Sequence, residues 1–405
     1  MAESIDVFFP HQAEYPGQHF AFEMLHDKSA VCMLLAAADQ PVQLLATASL
    51  RTMLRKRLGP LDPLSPATKQ ADLRPLIRKV AWLNVNSRFE ADLHYIRLAR
   101  RYFPLQHAEL LRQLEVYFVA VDPAAAFPRF SRVALSDLGK AANATVAIFG
   151  PMQTKAAADK WIEQVESAFD LCRYHQILAS APRGQPCAYK DMGRCPAPCD
   201  GTISMPAYRQ QVQLAVTQIS QREAFISEQT SRMTEAAGNM AFESAARIKQ
   251  YIDEITALFA PAGSRPGSRF VRPLSNFRYL VVRRGSASTK AKLFEVTPWS
   301  IGLLPEWDLK QSALPPLLSK EPAPVDRSAI AADELAIFCQ HLFEPATKAP
   351  GRAGGSILHI PDEVNDATIG EITAACQSLT RKPATLKPEP ASDAVDRELS
   401  STDFT

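Results

Sequence analysis

The sequence predicts an α+β protein that is built from several domains. Its 405 residues, 46% of them hydrophobic, are enough for two or three separate cores. Short apolar runs alternate along the chain with segments of helical periodicity, which indicates sheets and helices in the same domains. Four of the seven cysteines fall in one short segment. That part of the fold is therefore expected to depend on more than apolar burial.

A first α/β unit is expected over residues 21–110, after an extended lead-in over 1–20 that lacks periodicity. Two apolar runs, Val31–Leu35 and Val42–Leu45, flank a polar turn and predict a hairpin. Ser49 is a suitable N-cap for the basic helix that follows. The other elements predicted for this unit are a strand at 80–85 and a helix at 89–102.

Basic residues are concentrated in the first unit. The stretch from Arg51 to Arg101 contains twelve lysines and arginines against four acidic residues. Such a bias is typical of a surface that binds the phosphate backbone of DNA. A solvated helix face is the alternative interpretation. The candidate DNA-binding residues are Arg51, Arg55, Lys56, Arg57, Arg78 and Lys79.

The cysteine segment, residues 171–205, follows an α/β connector predicted over 111–170. Its cysteines are spaced C-x14-C-x7-C-x3-C, at Cys172, Cys187, Cys195 and Cys199. A loop rich in proline and glycine cannot bury enough apolar area to order itself, whereas thiolates bound to zinc or to an iron-sulfur cluster supply that energy. Two disulfides or scattered core thiols are the alternative.

Nothing in the sequence indicates an oxidising compartment, so metal ligation is the preferred interpretation. The N-terminus has no basic region followed by an apolar one, and no later run has the length of a membrane span. We therefore expect a cytoplasmic protein that does not contact a membrane. His175, three residues after Cys172, is the obvious substitute ligand.

Residues 206–260 predict an antiparallel helical hairpin, because glycine and proline are rare there apart from a break at Gly238. Apolar residues recur at helical spacing in its second arm. They are Phe242, Ala245, Ala246, Ile252 and Ile255. Two helices cannot hide such a stripe completely, so its exposed part would serve as a docking face. Packing against the protein's own domains is the alternative, which the pattern alone favours.

A smaller α/β domain of unassigned role is predicted over residues 269–380, after a linker at 260–268. Residues 381–405 are rich in proline, serine and charge and predict a disordered tail. The elements predicted for the domain are strands at 279–283, 292–296 and 357–360 and helices at 330–342 and 368–379.

A series of short motifs lies between Phe149 and Ile248. It consists of Phe149-Gly150-Pro151, Cys172, Pro186-Cys187, Cys195-Pro-Ala-Pro-Cys199, Gly201, Ile203-Ser204, Tyr208, Arg232-Met233, Phe242-Glu243 and Ala245-Ala246-Arg247-Ile248. This order resembles the UvrC family of the ABC excinuclease, over about residues 22–260. The resemblance implies an N-terminal GIY-YIG nuclease domain and a [4Fe-4S] cluster on the four cysteines, with zinc as the alternative metal.

The resemblance also identifies the hairpin as a UVR motif that binds the excinuclease B protein. It makes partner docking the better interpretation of the second arm. The contact residues that it implies are Phe242, Glu243, Ala246 and Arg247.

The first nuclease site of the family is missing, so we assign no catalytic residue. Both motif tyrosines are replaced, by Cys32 and Leu44, while the motif arginine falls on Met53 and the metal-binding glutamate on Tyr95. Phosphodiester hydrolysis by this fold needs a carboxylate for the metal and an arginine for the developing charge. A shifted register that uses Arg55 or Glu90 is the alternative. The N-terminal domain is therefore expected to be a degenerate GIY-YIG-like domain.

The family's second nuclease also finds no counterpart. Family members continue after the hairpin with an Asp-x-Ser-His-like strand, where this chain has Phe277–Gly285. The sequence thus predicts a UvrC-like protein, in or near nucleotide excision repair, that binds DNA and an excinuclease B type partner without cutting DNA. The alternatives are an active endonuclease with a rearranged site and a redox-sensing iron-sulfur adaptor without DNA contact.

Overall fold

The computed structural model consists of three antiparallel sheets with helices packed on them, which confirms the predicted α+β class. It describes residues 5–60, 71–141, 145–259, 270–310, 331–344, 355–361, 364–379 and 397–400. None of the helices in these ranges combines the length and the hydropathy that a membrane span needs.

The N-terminal unit has the strand and helix order β-β-β-α-β-α-α around the predicted hairpin. The hydroxyl of Ser49 accepts the Thr52 N–H and begins the first helix, and Ser87 begins the second in the same way through the Glu90 N–H. The elements are β1 (His11–Glu14), β2 (Ala30–Leu35), β3 (Pro41–Thr47), α1 (Leu50–Leu58), β4 (Lys79–Asn84), α2 (Arg88–Tyr102) and α3 (Pro104–Gln113). Helix α1 packs on one face of the sheet and α2 on the other.

Residues 1–20 are not simply an extended lead-in, so that prediction is wrong for the part that the structure describes. Strand β1 pairs with β4 and becomes part of the sheet. Phe9 and Tyr15 are buried, and the Tyr15 hydroxyl donates to the Leu58 carbonyl at 2.7 Å. Aromatic side chains too widely spaced to form a periodic pattern hold this segment in place.

The middle of the chain forms a second sheet, with β5 as its central strand. Its elements are β5 (Tyr117–Val121), β6 (Ser131–Ala134), α4 (Leu138–Ala141), β7 (Ala147–Met152) and α5 (Lys155–Ala168). Strand β5 pairs with both β6 and β7. Trp161 of α5 is buried against the sheet beside Phe149, and its indole N–H donates to the Leu258 carbonyl at 3.1 Å. The middle sheet and the later helices therefore share one core.

Residues 206–260 contain three helices and not two, so the prediction of a single hairpin over this range is corrected. The chain breaks at Gln221, where the backbone leaves the helical region. The elements are α6 (His175–Leu178), α7 (Ala188–Asp191), α8 (Met205–Ser220), α9 (Arg222–Gly238) and α10 (Phe242–Ala257). The hairpin consists of α9 and α10, while α8 packs beneath them on the core of the middle sheet.

The C-terminal elements form a third sheet and return to the other two. They are β8 (Arg272–Pro273), β9 (Tyr279–Arg284), β10 (Lys290–Val296), β11 (Ile301–Leu303), β12 (Trp307–Asp308), α11 (Ala332–Phe343), β13 (Gly355–His359), α12 (Asp366–Ser378) and β14 (Arg397–Ser400). Strand β8 pairs with β7, and β14 pairs with β3. The predicted disordered tail is therefore wrong for residues 397–400. The rest of that tail and the predicted linker at 260–268 lie outside the described residues.

Ion pairs join the C-terminal domain to helix α2. Arg97 of α2 donates two hydrogen bonds of 2.7 Å to the carboxylate of Glu334 on α11. Lys292 of β10 pairs with Glu90 at 2.5 Å, and His341 lies 3.0 Å from Asp92. The three carboxylates are buried, which is tolerable only because each has a hydrogen-bonded partner. Helix α2 is thus enclosed between the N-terminal sheet and the C-terminal domain.

Candidate metal centre, partner-binding face and nuclease remnant

The cysteine segment is tied to its surroundings by buried hydrogen bonds. The main-chain N–H of Cys172 donates to the hydroxyl of Tyr208, which is 1% exposed on α8. The Gly184 N–H donates to the Cys199 carbonyl at 2.8 Å. Cys172, Cys195 and Cys199 are buried, while Cys187 is half-buried at the start of α7. Three of the four predicted ligands are thus buried, and the fourth is partly exposed.

The thiol of Cys172 is hydrogen-bonded to the sulfur of Cys195. The bond from Cys172 lowers the pKa of Cys195 to about 6, against the opposing effect of burial, and the Ala197 backbone adds to the lowering. The same bond raises the pKa of Cys172, and burial raises the pKa of Cys199. One thiolate is therefore available near neutral pH, in the form that binds soft metals.

The four sulfurs do not form a closed coordination shell. Within the part of the chain that the structure describes, no three His, Cys, Asp or Glu side chains are placed together closely enough to hold a metal ion. The thiol chemistry fits zinc or an iron-sulfur cluster. The buried Nδ1 of His175 has no hydrogen-bond partner among the described residues, so this nitrogen also remains available.

Helix α10 presents the predicted partner-binding residues on its outer face. Phe242, Glu243, Ala246 and Arg247 are all exposed, and Phe242 is 67% exposed. On the inner side, Ala245 and Ile255 are buried, and the Tyr251 hydroxyl donates to the Gln218 side chain of α8 at 2.7 Å. The apolar stripe is therefore divided between the protein's own core and the surface.

The charges on this face are not paired with each other. Among the described residues, neither Glu243 nor Arg247 lies within 4.0 Å of an opposite charge, although they are four residues apart on one helix. An exposed phenylalanine flanked by one acid and one base has the composition of a helix-docking surface.

The four positions that replace the nuclease residues are buried and divided between the two sides of the N-terminal sheet. Cys32 and Met53 belong to the core under α1. Leu44 and Tyr95 belong to the core under α2. Burial raises the pKa of the Cys32 thiol, so this group is not an activated nucleophile. The structure does not bring the four positions together into one cleft.

Arg55 and Glu90, the alternative catalytic candidates, are also kept apart. Arg55 forms an exposed ion pair with Glu23 at 2.5 Å. Glu90 is buried, pairs with Lys292, and accepts the Asn86 N–H at 2.8 Å. Both side chains therefore have structural partners in different parts of the domain.

The predicted DNA-binding residues do not form one uniform patch. Arg51 donates to the Leu25 carbonyl at 2.7 and 2.9 Å, and Lys79 pairs with Asp39 at 2.7 Å. Arg57 donates to the buried amide of Gln43 at 3.0 Å. The other three, Arg55, Lys56 and Arg78, are exposed. Sequence reasoning missed the Gln43 contact, although a lone amide between Val42 and Leu44 was a signal for it.

Fold and site together define an α+β protein with a thiol-rich segment between a mixed middle domain and a helical hairpin. Residues 117–218 match the family model of the UvrC/Cho excinuclease middle domain. This match includes all four cysteines and Tyr208. Over these residues the chain is similar to the UvrC/Cho excinuclease middle domain, which agrees with the resemblance that its motifs indicate.

Curated relatives cover a similar part of the chain. UvrABC system protein C of Syntrophotalea carbinolica is 27% identical over 196 residues, 46% of this chain and 31% of the relative. The protein of the same name from Geobacter metallireducens is 26% identical over 211 residues, 51% of this chain and 33% of the relative. That from Shewanella halifaxensis is 33% identical over 111 residues, 27% of this chain and 18% of the relative. The chain thus matches a third or less of these relatives, and no solved structure is significantly similar to it.

Proposed function

We propose that this protein acts in or near nucleotide excision repair as a non-catalytic member of the UvrC family. In this role it docks on an excinuclease B type partner through the α9–α10 hairpin and binds DNA. The observation that carries the proposal is the exposed outer face of α10, where Phe242 is 67% exposed and neither Glu243 nor Arg247 has a charged partner among the described residues.

An exposed aromatic side chain on a packed hairpin supports docking over internal packing. The hairpin already has an apolar inner side, formed in part by Ala245 and Ile255. Phe242 adds nothing to that core, and leaving its ring in water forgoes roughly 2 kcal/mol of burial energy. A partner helix that covers Phe242 would recover this energy and could pair with Glu243 and Arg247.

The absence of nuclease activity is part of the proposal. Cys32, Leu44 and Tyr95 are buried at positions where the family has catalytic groups, and helix α2 is enclosed by the C-terminal domain. An incision assay on damaged duplex DNA tests this part.

We further propose that Cys172, Cys187, Cys195 and Cys199 hold a [4Fe-4S] cluster, with zinc as the alternative. A cluster supplies a rigid anchor for a segment whose helices α6 and α7 have four residues each. The lowered pKa of Cys195 supports a soft metal. It also favours a second candidate function, a redox-sensing adaptor, for which DNA binding is not required.

Contact with DNA rests on the exposed side chains of Arg55, Lys56 and Arg78. If these residues neutralise phosphates, the affinity for duplex DNA falls steeply as salt rises. A redox adaptor without DNA contact shows no such binding.

Gel filtration of the full chain with an excinuclease B protein tests the partner. Co-elution of the wild type, lost in Phe242→Ala and kept in Leu214→Ala, is expected, since Leu214 is a similarly exposed apolar residue on α8.

A further inference from the structure

A cleft of about 470 Å³ lies where the middle sheet, α8 and the C-terminal domain meet. Phe149 and the residues before it on β7 form one wall. Gln213 and Ser220 of α8 form a second, and Trp299 projects from the turn between β10 and β11. Its volume falls within the range of roughly 300–1,000 Å³ that small-molecule sites occupy, and such sites favour domain junctions.

The lining of the cleft excludes charged ligands. All the side chains that line it, among the residues that the structure describes, are uncharged. A phosphate, carboxylate or ammonium group would lose its hydration there without gaining an opposite charge, which is strongly unfavourable. The chemistry of the cleft therefore selects a neutral ligand that combines apolar faces with hydrogen-bonding edges.

Trp299 lies on a turn that main-chain hydrogen bonds hold in place. The main-chain N–H groups of Trp299 and Ser300 donate to the Thr297 hydroxyl at 3.3 and 3.2 Å, which fixes the turn. The indole is half-buried and makes no ring contact with another aromatic side chain in the described ranges. A face of this ring is therefore open for a planar group to stack on.

Two hydrogen-bonding groups in the cleft are also unused. Neither the side-chain amide of Gln213 nor the hydroxyl of Ser220 has a hydrogen-bond partner within the part of the chain that the structure describes. An amide offers a donor and an acceptor side by side, which matches the edge of a nucleobase.

We propose that this cleft binds an unpaired nucleobase, stacked on Trp299 and hydrogen-bonded by Gln213. A nucleobase is planar, uncharged near neutral pH and edged with donors and acceptors, as the lining requires. The base comes from DNA if the proposed DNA binding holds, and the inference rests on that function to this extent. A free nucleoside has the same chemistry and probes the cleft separately.

The test uses 2-aminopurine, a fluorescent base that stacking quenches, first as the free riboside and then within a single-stranded oligonucleotide. Trp299→Ala is expected to weaken binding of the riboside about tenfold, since one base–aromatic stack contributes on that order. Gln213→Ala, on the exposed side of a helix, is expected to weaken it less. Leu303→Ala removes an exposed apolar side chain from the neighbouring strand and is the matched control, with no effect expected. Thermal melting checks that each variant is folded.

Binding of both probes that depends on Trp299 and Gln213 but not on Leu303 supports the site. If the full chain binds duplex DNA in a salt-dependent manner but neither probe is quenched, the nucleobase site is wrong while the proposed function stands. If the protein binds the riboside but has no affinity for DNA, the nucleobase site is supported and the proposed DNA binding is wrong. Riboside binding that Trp299→Ala leaves unchanged overturns the inference.

Discussion

The main-chain N–H of Cys172 donates a hydrogen bond to the hydroxyl oxygen of Tyr208, 3.1 Å away. Both residues are buried, and they lie 36 positions apart in the sequence. The bond joins the first cysteine of the segment to helix α8, which follows the last cysteine. The intervening loop is thus tied at both ends to one helix.

Replacing Tyr208 by Phe tests this anchor. The variant keeps the ring but leaves the buried Cys172 N–H without a partner, which costs about 1–3 kcal/mol in free energy of unfolding. Urea unfolding measures the change. Tyr174→Phe, at a ring 48% exposed to solvent, is the control and is expected to change stability by less than about 0.5 kcal/mol. Equal stability of the two variants would show that the bond is not formed.

Glu166 of α5 gives a pH dependence with a definite sign. Burial raises the pKa of its carboxyl from 4.5 to about 7, with Arg173 opposing the shift and Glu163 adding to it. Because ionisation is harder in the folded state, the stability associated with the protonated form is lost as pH rises from about 4.5 to about 7.

Glu166→Gln removes the loss of stability that accompanies ionisation of the Glu166 carboxyl. Partial exposure to solvent reduces the effect, so we expect the variant to be about 1 kcal/mol more stable than the wild type at pH 8 and nearly equal to it at pH 4. Thermal melting at both pH values measures this. Glu163→Gln, at an exposed position on the same helix, should show no such difference, and a Glu166 variant that behaves like it would contradict the assignment.

Anaerobically purified protein is expected to be brown and to contain iron and acid-labile sulfide. Cys195→Ser should lose both, because Cys195 carries the readily ionised thiol of the segment. Cys376→Ser changes a buried thiol in the C-terminal core and should keep both. If the purified protein is colourless and contains zinc, the metal on these ligands is zinc and the cluster assignment is wrong. Full metal content in Cys195→Ser would reject Cys195 as a ligand.

Purified protein is expected to leave a damaged duplex uncut with magnesium or manganese present. The groups at the four motif positions are buried on opposite sides of a sheet, and catalytic groups act as a unit, so restoring one of them recovers little. Gel electrophoresis of a labelled duplex detects incision. Metal-dependent nicking that disappears in Arg55→Ala would mean that a rearranged site is present.

Local patterns predicted most of the elements. The hairpin β2–β3 and the helices α1, α2, α11 and α12 follow from apolar spacing and caps such as Ser49, all of which act within a few residues. The strand β1 could not be predicted in this way, since it depends on pairing with β4, more than sixty residues later. The break at Gln221 has no glycine or proline to mark it.

Local sequence patterns also predicted only part of the candidate site. Cysteine spacing identified the segment, but the Tyr208 anchor and the pairing of Cys172 with Cys195 require three-dimensional contacts. Charge counting identified Arg51 and Arg57 as DNA ligands, whereas the structure uses both for internal hydrogen bonds. The ion pairs between α2 and α11 join residues more than two hundred positions apart and leave no local signal.

The affinity of the full chain for the C-terminal helical hairpin of an excinuclease B protein, measured by isothermal titration calorimetry, tests the central claim most directly. We expect Phe242→Ala to lose about 2–4 kcal/mol of binding free energy, as truncation of a central aromatic anchor does, and Glu243→Ala to lose less than about 1 kcal/mol. Leu214→Ala should bind like the wild type. No measurable affinity of the wild type, or equal affinities of Phe242→Ala and Leu214→Ala, would contradict the account.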